Sequence, residues 1–463
     1  MTELTIIILY FAGMLAIGLA SRSKAREPDD FFVAGRKGSS LFITGSLLAT
    51  IIGGSATIGM AGLGFKQGLT GAWWLLVGSV GLIFLGLFFA KRVRRLALYT
   101  LPELVEKQYG RRVALATSVL IVVAWTGVIA AQIIAAGQIL SILGMGNSIL
   151  WMVIFTIIFV AYTVLGGQYA IIRTDAVQSL IIFAGISGGL ALLLSRLGGW
   201  SGLKSSLPPE QFFFPLGSQF GGTELITLLL LVGLTYVVGP DMYSRLFCAR
   251  DDKAAKTAIL WTALLIIPLA FAITLIGMGA AALFPDISPE QALPTVIKEV
   301  FSPLLGGIVL ASLLCAVMSS ADTTLLSAST ILMVDIVGWF RPSLSRSKIL
   351  PRSRWVIVFM GICSLIVALA LKGVISALLF AYTVYTAGVI LPVIAGFFKN
   401  RLKVTPAGAL AALIGGGSVG LVSKLLAIRY LDLGALLLSG LLLFLVSLTE
   451  NRLKKQTRAS INR

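Results

Sequence analysis

Histidine is absent from the 463 residues, and with it the side chain that most often serves as general base, proton shuttle or metal ligand near neutral pH. Cysteine is scarce. Cys248, Cys315 and Cys363 have no CxxC or other ligand spacing, and the last two lie inside apolar runs, which excludes a disulfide framework and a zinc site. Charged residues make up only 12% of the chain, roughly half the share of a soluble domain, and acids number 19 against 37 bases. No paired metal carboxylates are present, and without histidine no catalytic constellation is expected, so the chain does not read as an enzyme. Low-complexity linkers are missing too, and no stretch of even 40 residues lacks a hydrophobic run. Residues 1–463 therefore read as a single transmembrane domain with no sizeable soluble part.

What fills the chain is apolar: 57% hydrophobic residues and a mean hydropathy of +0.98. A bilayer-crossing helix needs about 20 such residues. Hydrophobic runs bounded by charge or turn residues predict an all-α polytopic membrane protein of about thirteen spans. They lie near 3–20, 40–65, 71–90, 113–141, 147–166, 172–195, 223–244, 255–283, 303–337, 354–371, 374–398, 406–427 and 432–449. The first run follows Glu3 rather than a basic segment and precedes Ser21-Arg22-Ser23-Lys24, with no small-residue cleavage site. It is expected to be a retained helix, not a signal peptide, with the N-terminus outside.

With loops alternating from that start, 30 of the Lys and Arg residues fall inside and 7 outside, and one span more or fewer would scramble this asymmetry. The net charge of +18 then reports inward-facing loops rather than a nucleic-acid partner. The basic tail, 450–463, reads as a cytoplasmic anchor facing anionic headgroups. The expectation is a multi-pass protein of a prokaryotic cell membrane, its C-terminus cytoplasmic and its functional unit monomeric.

Function belongs where a membrane helix is interrupted or buries polar groups. The second span contains Ala49-Thr50-Ile51-Ile52-Gly53-Gly54-Ser55-Ala56, then Gly59, Gly62 and Gly64: five glycines within twelve residues. Each weakens a helix by about 1 kcal/mol relative to alanine, so a break is expected; close packing through small residues is the alternative. The seventh span carries Gly233, Thr235, Tyr236 and Gly239-Pro240-Asp241, where Pro240 either breaks the helix or ends it. If the second span opens one set of five and the seventh the next, the two run in opposite directions. Corresponding interrupted helices in inverted halves point to a secondary transporter's midplane site.

The ninth span puts Ser312, Ser319, Ser320, Thr323 and Ser327, with Ala316, on one face about 100° wide. Such a face offers hard oxygen ligands without formal charge, suited to a monovalent cation; interhelical hydrogen bonding is the alternative. Asp322 lies about 60° off that face. Asp175 stands near the cytoplasmic start of the sixth span, either as a helix cap or as an ion station near the inner exit with Arg173 tuning its charge.

These segments, FFVAGRK, LLATIIGG, GGQYAIIRTDAVQ, GPDMYSRLFCARD and AVMSSADTTLLSAST, together resemble the sodium:solute symporter family, in order and over nearly the whole chain. The resemblance implies a leucine-transporter-like fold of the APC superfamily, a five-plus-five inverted repeat with discontinuous helices. Repeat 1 would span 40–195 and repeat 2 223–398, with peripheral helices at 3–20 and 406–449. It implies a principal sodium site at Ala49, Ile52, Ala316, Ser319 and Ser320. A possible second cation site would join Asp175, Ser319, Asp322 and Thr323, with Asp322 standing where two-sodium members carry serine. By position, the solute pocket would involve Ile51, Gly53, Ser55, Ala56, Trp73, Trp74, Trp125, Gln132, Tyr236, Gly239, Tyr382 and Tyr385. The expected function is sodium-coupled symport of a small organic solute by alternating access, with Na+ as coupling ion and no other cofactor. The rivals are a proton-coupled carrier of the same fold, using Asp322 or Asp175, and a channel or sensor.

Overall fold

Lipid offers a polypeptide no hydrogen bonds, so an apolar chain must satisfy its backbone internally. The computed structural model describes residues 2–25, 27–144, 147–341, 346–371, 373–426, 428 and 430–461. Among them only two isolated bridges, Gly38 with Ala249 and Gly217 with Phe220, interrupt an otherwise helical architecture. Eleven helical runs of the described residues are long and apolar enough to cross a membrane. Two of them, Ser55–Arg95 and Ser148–Leu197, have 41 and 50 residues, well beyond the need of one crossing. Each is interrupted at a glycine of positive φ, Gly68 at 67° and Gly167 at 52°. At Gly167 an added Cβ would also come within 2.6 Å of the Phe31 ring.

The helix Pro303–Phe340 lies deepest, with 78% of its apolar window buried, whereas Thr2–Ser21 and Leu431–Thr457 reach 28% and 33% and so lie at the rim. The central helix packs against Ser40–Ile51 and Ser148–Leu197, which carry candidate ion ligands, and against Arg111–Ser141, which carries Trp125 and Gln132 of the expected pocket.

Both expected breaks are present. Ser40–Ile51 ends as a helix, Ile52 turns to ψ 69°, and helix resumes from Ser55. The glycines there answer to close approach. A Cβ on Gly53 would stand 2.5 Å from Ser320 Oγ, and one on Gly54 would stand 2.3 Å from Ala135 Cβ. That proximity lets the Gly54 amide donate to Gln132 Oε1 at 2.8 Å. In the second break Val238 and Gly239 leave the helix and Pro240 opens the segment Pro240–Cys248, a position where proline's missing N–H costs nothing. The freed Val238 carbonyl accepts from the Tyr385 hydroxyl. The helix continues to Cys248, past the expected end at 244, so Arg245 lies inside the protein rather than in an inner loop.

Substituting Gly54→Ala should destabilise the protein by about 1–3 kcal/mol through overpacking. Gly188→Ala, with nothing within 4 Å of its Cβ, should be neutral. Thermal unfolding of the two variants in detergent compares them.

Candidate functional site

A helix that stops leaves its last carbonyls without intrahelical amides. At the end of Ser40–Ile51 the Leu48 carbonyl takes the Ile52 amide at 3.1 Å, and the Thr50 carbonyl accepts from Ser320 Oγ at 2.6 Å. Ala49, Ile52, Ala316, Ser319 and Ser320 are all buried on these two packed helices. The structure therefore gathers the five residues of the expected sodium site at one junction. The remaining hydroxyls of the central face divide between neighbours. Ser319 Oγ donates to Asp175 Oδ1 at 2.5 Å, Thr323 Oγ1 lies 3.1 Å from Thr50 Oγ1, and Ser327 Oγ donates to Ser244 Oγ at 3.4 Å. Ser312 bonds back to the Val309 carbonyl at 2.7 Å and packs against Gly185, outside the cluster.

Asp175 has neither the cap position nor the charge partner expected for it. Eight residues beyond the Gly167 kink, it is no helix cap, and its charge partner is not Arg173, which is exposed and lies 4.1 Å over the Tyr169 ring. The partner is Arg245. Its Nη2 lies 3.2 Å from Asp175 Oδ2, and both side chains are fully buried. Nη2 also donates to Thr50 Oγ1 at 3.3 Å and to Thr323 Oγ1. Nε donates to Ser46 Oγ at 2.9 Å, and Ser46 in turn donates to Asp175 Oδ2 at 2.5 Å. Nη1 donates to Ser244 Oγ at 3.2 Å. Asp322 borders this network: its Oδ1 accepts from Thr323 Oγ1 at 3.4 Å, and its Oδ2 finds no partner among the described residues.

Between the two breaks lies a cavity of about 30 Å³, room for one or two waters and far too small for an organic solute in this conformation. Of the expected pocket residues, Ile51, Gly53, Ser55, Trp125, Gln132, Tyr236 and Tyr382 line it. Ala56, Trp73, Trp74, Gly239 and Tyr385 do not. Trp73 stacks on Phe214 and donates to the Pro215 carbonyl at 2.8 Å. Trp74 faces a separate pocket of about 300 Å³ with Leu63, Phe220 and Leu379. Tyr385 braces the second break and meets Trp125 edge-on at 4.8 Å, and Gly239 precedes Pro240 in the break backbone. The other seven lining residues, Thr50, Val128, Thr235, Asp241, Met242, Ser320 and Thr324, were not among the expected pocket residues. Asp241 had a signal, an acid directly after Gly239-Pro240 at a break, where the new helix's first turn favours a carboxylate. Trp125 Nε1 is buried without a partner among the described residues, an uncommon state for an indole N–H.

A model of the sodium:solute symporter family matches residues 31–416. The chain belongs to the sodium:solute symporter family. The sodium/pantothenate symporter of Escherichia coli (strain K12) is 26% identical to this symporter, over 95% of this chain and 93% of that protein. The high-affinity proline transporter PutP of Bacillus subtilis (strain 168) is 27% identical, over 88% of each. In three dimensions, the substrate-bound outward-open state of a Na+-coupled sialic acid symporter superposes with a TM-score of 0.82 at 18% identity, covering 96% of this chain and 97% of that one. The fold is thus leucine-transporter-like, and the symporter is a multi-pass membrane transporter rather than an enzyme, working by sodium-coupled secondary transport.

Breaking a buried ion pair on one side leaves an uncompensated charge, at a cost of about 3–5 kcal/mol. Asp175→Asn and Arg245→Met alone should each lower stability by that order. The double variant should recover most of it, as read from a double-mutant cycle of thermal unfolding in detergent.

Proposed function

We propose that this symporter couples the inward movement of sodium to the uptake of a small organic solute through the cavity between its two helix breaks. Sodium binds at the carbonyls of Ala49, Ile52 and Ala316 and the hydroxyls of Ser319 and Ser320. The hydrogen bond from Ser320 Oγ to the Thr50 carbonyl at 2.6 Å carries this reading, because it holds the open end of the broken helix against the serine pair. An ion placed there favours the conformation in which the two helices meet, and its different affinity for the two states is what shifts the equilibrium. In the same reading the chain crosses the bilayer thirteen times, divided at Gly68 and Gly167. The N-terminus is outside and the C-terminus cytoplasmic, the repeats run over 40–195 and 223–398, and the functional unit is a monomer. One charge moved through 100 mV is worth about 2.3 kcal/mol, so a single sodium supports roughly 50-fold accumulation from voltage alone.

The solute is read from the polar groups of the cavity wall. Trp125 Nε1 is the donor without a partner among the described residues, and Asp241, also in the cavity wall, offers an acceptor, amid aromatic faces from Tyr236 and Tyr382. A solute with an ammonium or other donor at one end and an acceptor at the other satisfies both, and a simple anion does not. Zwitterions such as L-proline are the first probes to try, with pantothenate and D-glucose beside them. The unpartnered Oδ2 of Asp322 favours a second reading in which a proton takes part in coupling.

Uptake of labelled probes into proteoliposomes, with sodium, proton and voltage gradients imposed separately, tests the whole scheme. Uptake that ignores the sodium gradient would refute it. Ser319→Ala and Ser320→Ala should raise the sodium concentration for half-maximal uptake by about tenfold, the equivalent of one lost ligand; an unchanged value in both sinks the site. Asp241→Asn should raise the half-saturating solute concentration while leaving that of sodium in place. Asp322→Ser with wild-type uptake across pH 6 to 8 would dismiss the proton reading.

A further inference from the structure

The oxygens of Asp175, Ser319 and Thr323 form the kind of buried cluster that attracts a monovalent cation, and in this chain a cation already stands in it. The guanidinium of Arg245 is fully buried. Its Nη2 reaches Asp175 Oδ2 at 3.2 Å, Thr50 Oγ1 at 3.3 Å and Thr323 Oγ1, three oxygens from three different helices. We infer that Arg245 is the resident cation of the second position, so that one sodium, not two, binds in each transport cycle. The inference rests on the sodium reading above.

Three properties of the arrangement support it. First, arginine cannot shed its proton in a protein, so the positive charge is permanent and a sodium ion among the same oxygens would face a like charge at contact distance. Second, the guanidinium does structurally what a bound ion would do. It extends from the segment after the second break, Pro240–Cys248, to Ser46 and Thr50 of the other broken helix and to Asp175 and Thr323 of their neighbours. Third, Asp322, the remaining acid of that position, keeps only one free oxygen, its Oδ2, unpartnered among the described residues, too few for an ion site without the oxygens that Arg245 holds. Its Oδ1 is engaged by Thr323 at 3.4 Å, one residue along the same helix. A tethered cation binds the carboxylate but cannot be exchanged with either side of the membrane, so it adds cohesion without drawing energy from the sodium gradient.

Equilibrium binding of ²²Na+ to the purified full-length protein counts the sites without knowledge of the solute. Wild type should bind one sodium per chain. Arg245→Ala should bind one more, Arg245→Lys should stay at the wild-type number, and Arg245→Ala combined with Asp175→Asn should lose the extra site again. Two sodiums in wild type, or no gain in Arg245→Ala, overturns the inference. No sodium in wild type would strike the principal sodium site instead, and a gain from none to one in Arg245→Ala would still uphold the role of the guanidinium. If Arg245→Ala does not fold, the wild-type count decides alone: one upholds the inference and two overturns it.

Discussion

A helix can be interrupted inside a membrane only if another part of the protein answers the groups it releases. Every feature of the site depends on that constraint. The Gly54 amide is answered by Gln132, the Thr50 carbonyl by Ser320 and the Val238 carbonyl by Tyr385. Each answering side chain belongs to a different helix: Arg111–Ser141, Pro303–Phe340 and Val374–Gly396. The breaks are therefore held open by their surroundings.

The ion pair of Asp175 and Arg245 stands under a second constraint. Taking two charges out of water costs several kcal/mol for each, and their mutual attraction repays this only when further hydrogen bonds complete both groups. Here Ser46 and Ser319 complete the carboxylate, while Ser46, Thr50, Ser244 and Thr323 complete the guanidinium. The small hydroxyl residues around the pair are thus the condition for burying it. The pair also joins both broken helices to their neighbours, so any rocking of one group of helices against the other must stretch or carry this network.

Much of this was legible in the sequence, because its signals are local. Glycine density announced the break at 53–54, Gly239-Pro240 announced the one at 239, and helical spacing placed Ser319, Ser320 and Thr323 on one face. What escaped depends on tertiary neighbours. Arg245 follows Pro240 by five residues and precedes Arg250 and Lys253, so it reads as the first base of an inner loop until the helix is seen to continue to Cys248. Arg173, two residues from Asp175, looked like its partner, but two residues along a helix point to different sides, and Arg173 faces out. Trp73 and Trp74 have the size and hydrophobicity of pocket residues, yet the positive-φ turn at Gly68 sets their segment beside the 211–220 loop instead. Asp241 was visible as a residue at a break but not as a wall of the cavity.

Ser319 stands between the Asp175–Arg245 pair and the proposed sodium position, and a hydroxyl group has a single hydrogen. That hydrogen is committed to Asp175 Oδ1 at 2.5 Å, which leaves the oxygen's lone pairs for other partners, as a ligand to the proposed sodium would need. In the proposed scheme the arrangement would work as a one-bit memory. While the carboxylate stays anionic and accepts, the serine would present electrons to the proposed sodium position. Were Asp175 protonated, the hydroxyl could rotate to accept instead, and its hydrogen would point at the place the ion should occupy. Through one rotating O–H bond, the state of the acid would be legible to an ion at the proposed sodium position without any movement of the backbone.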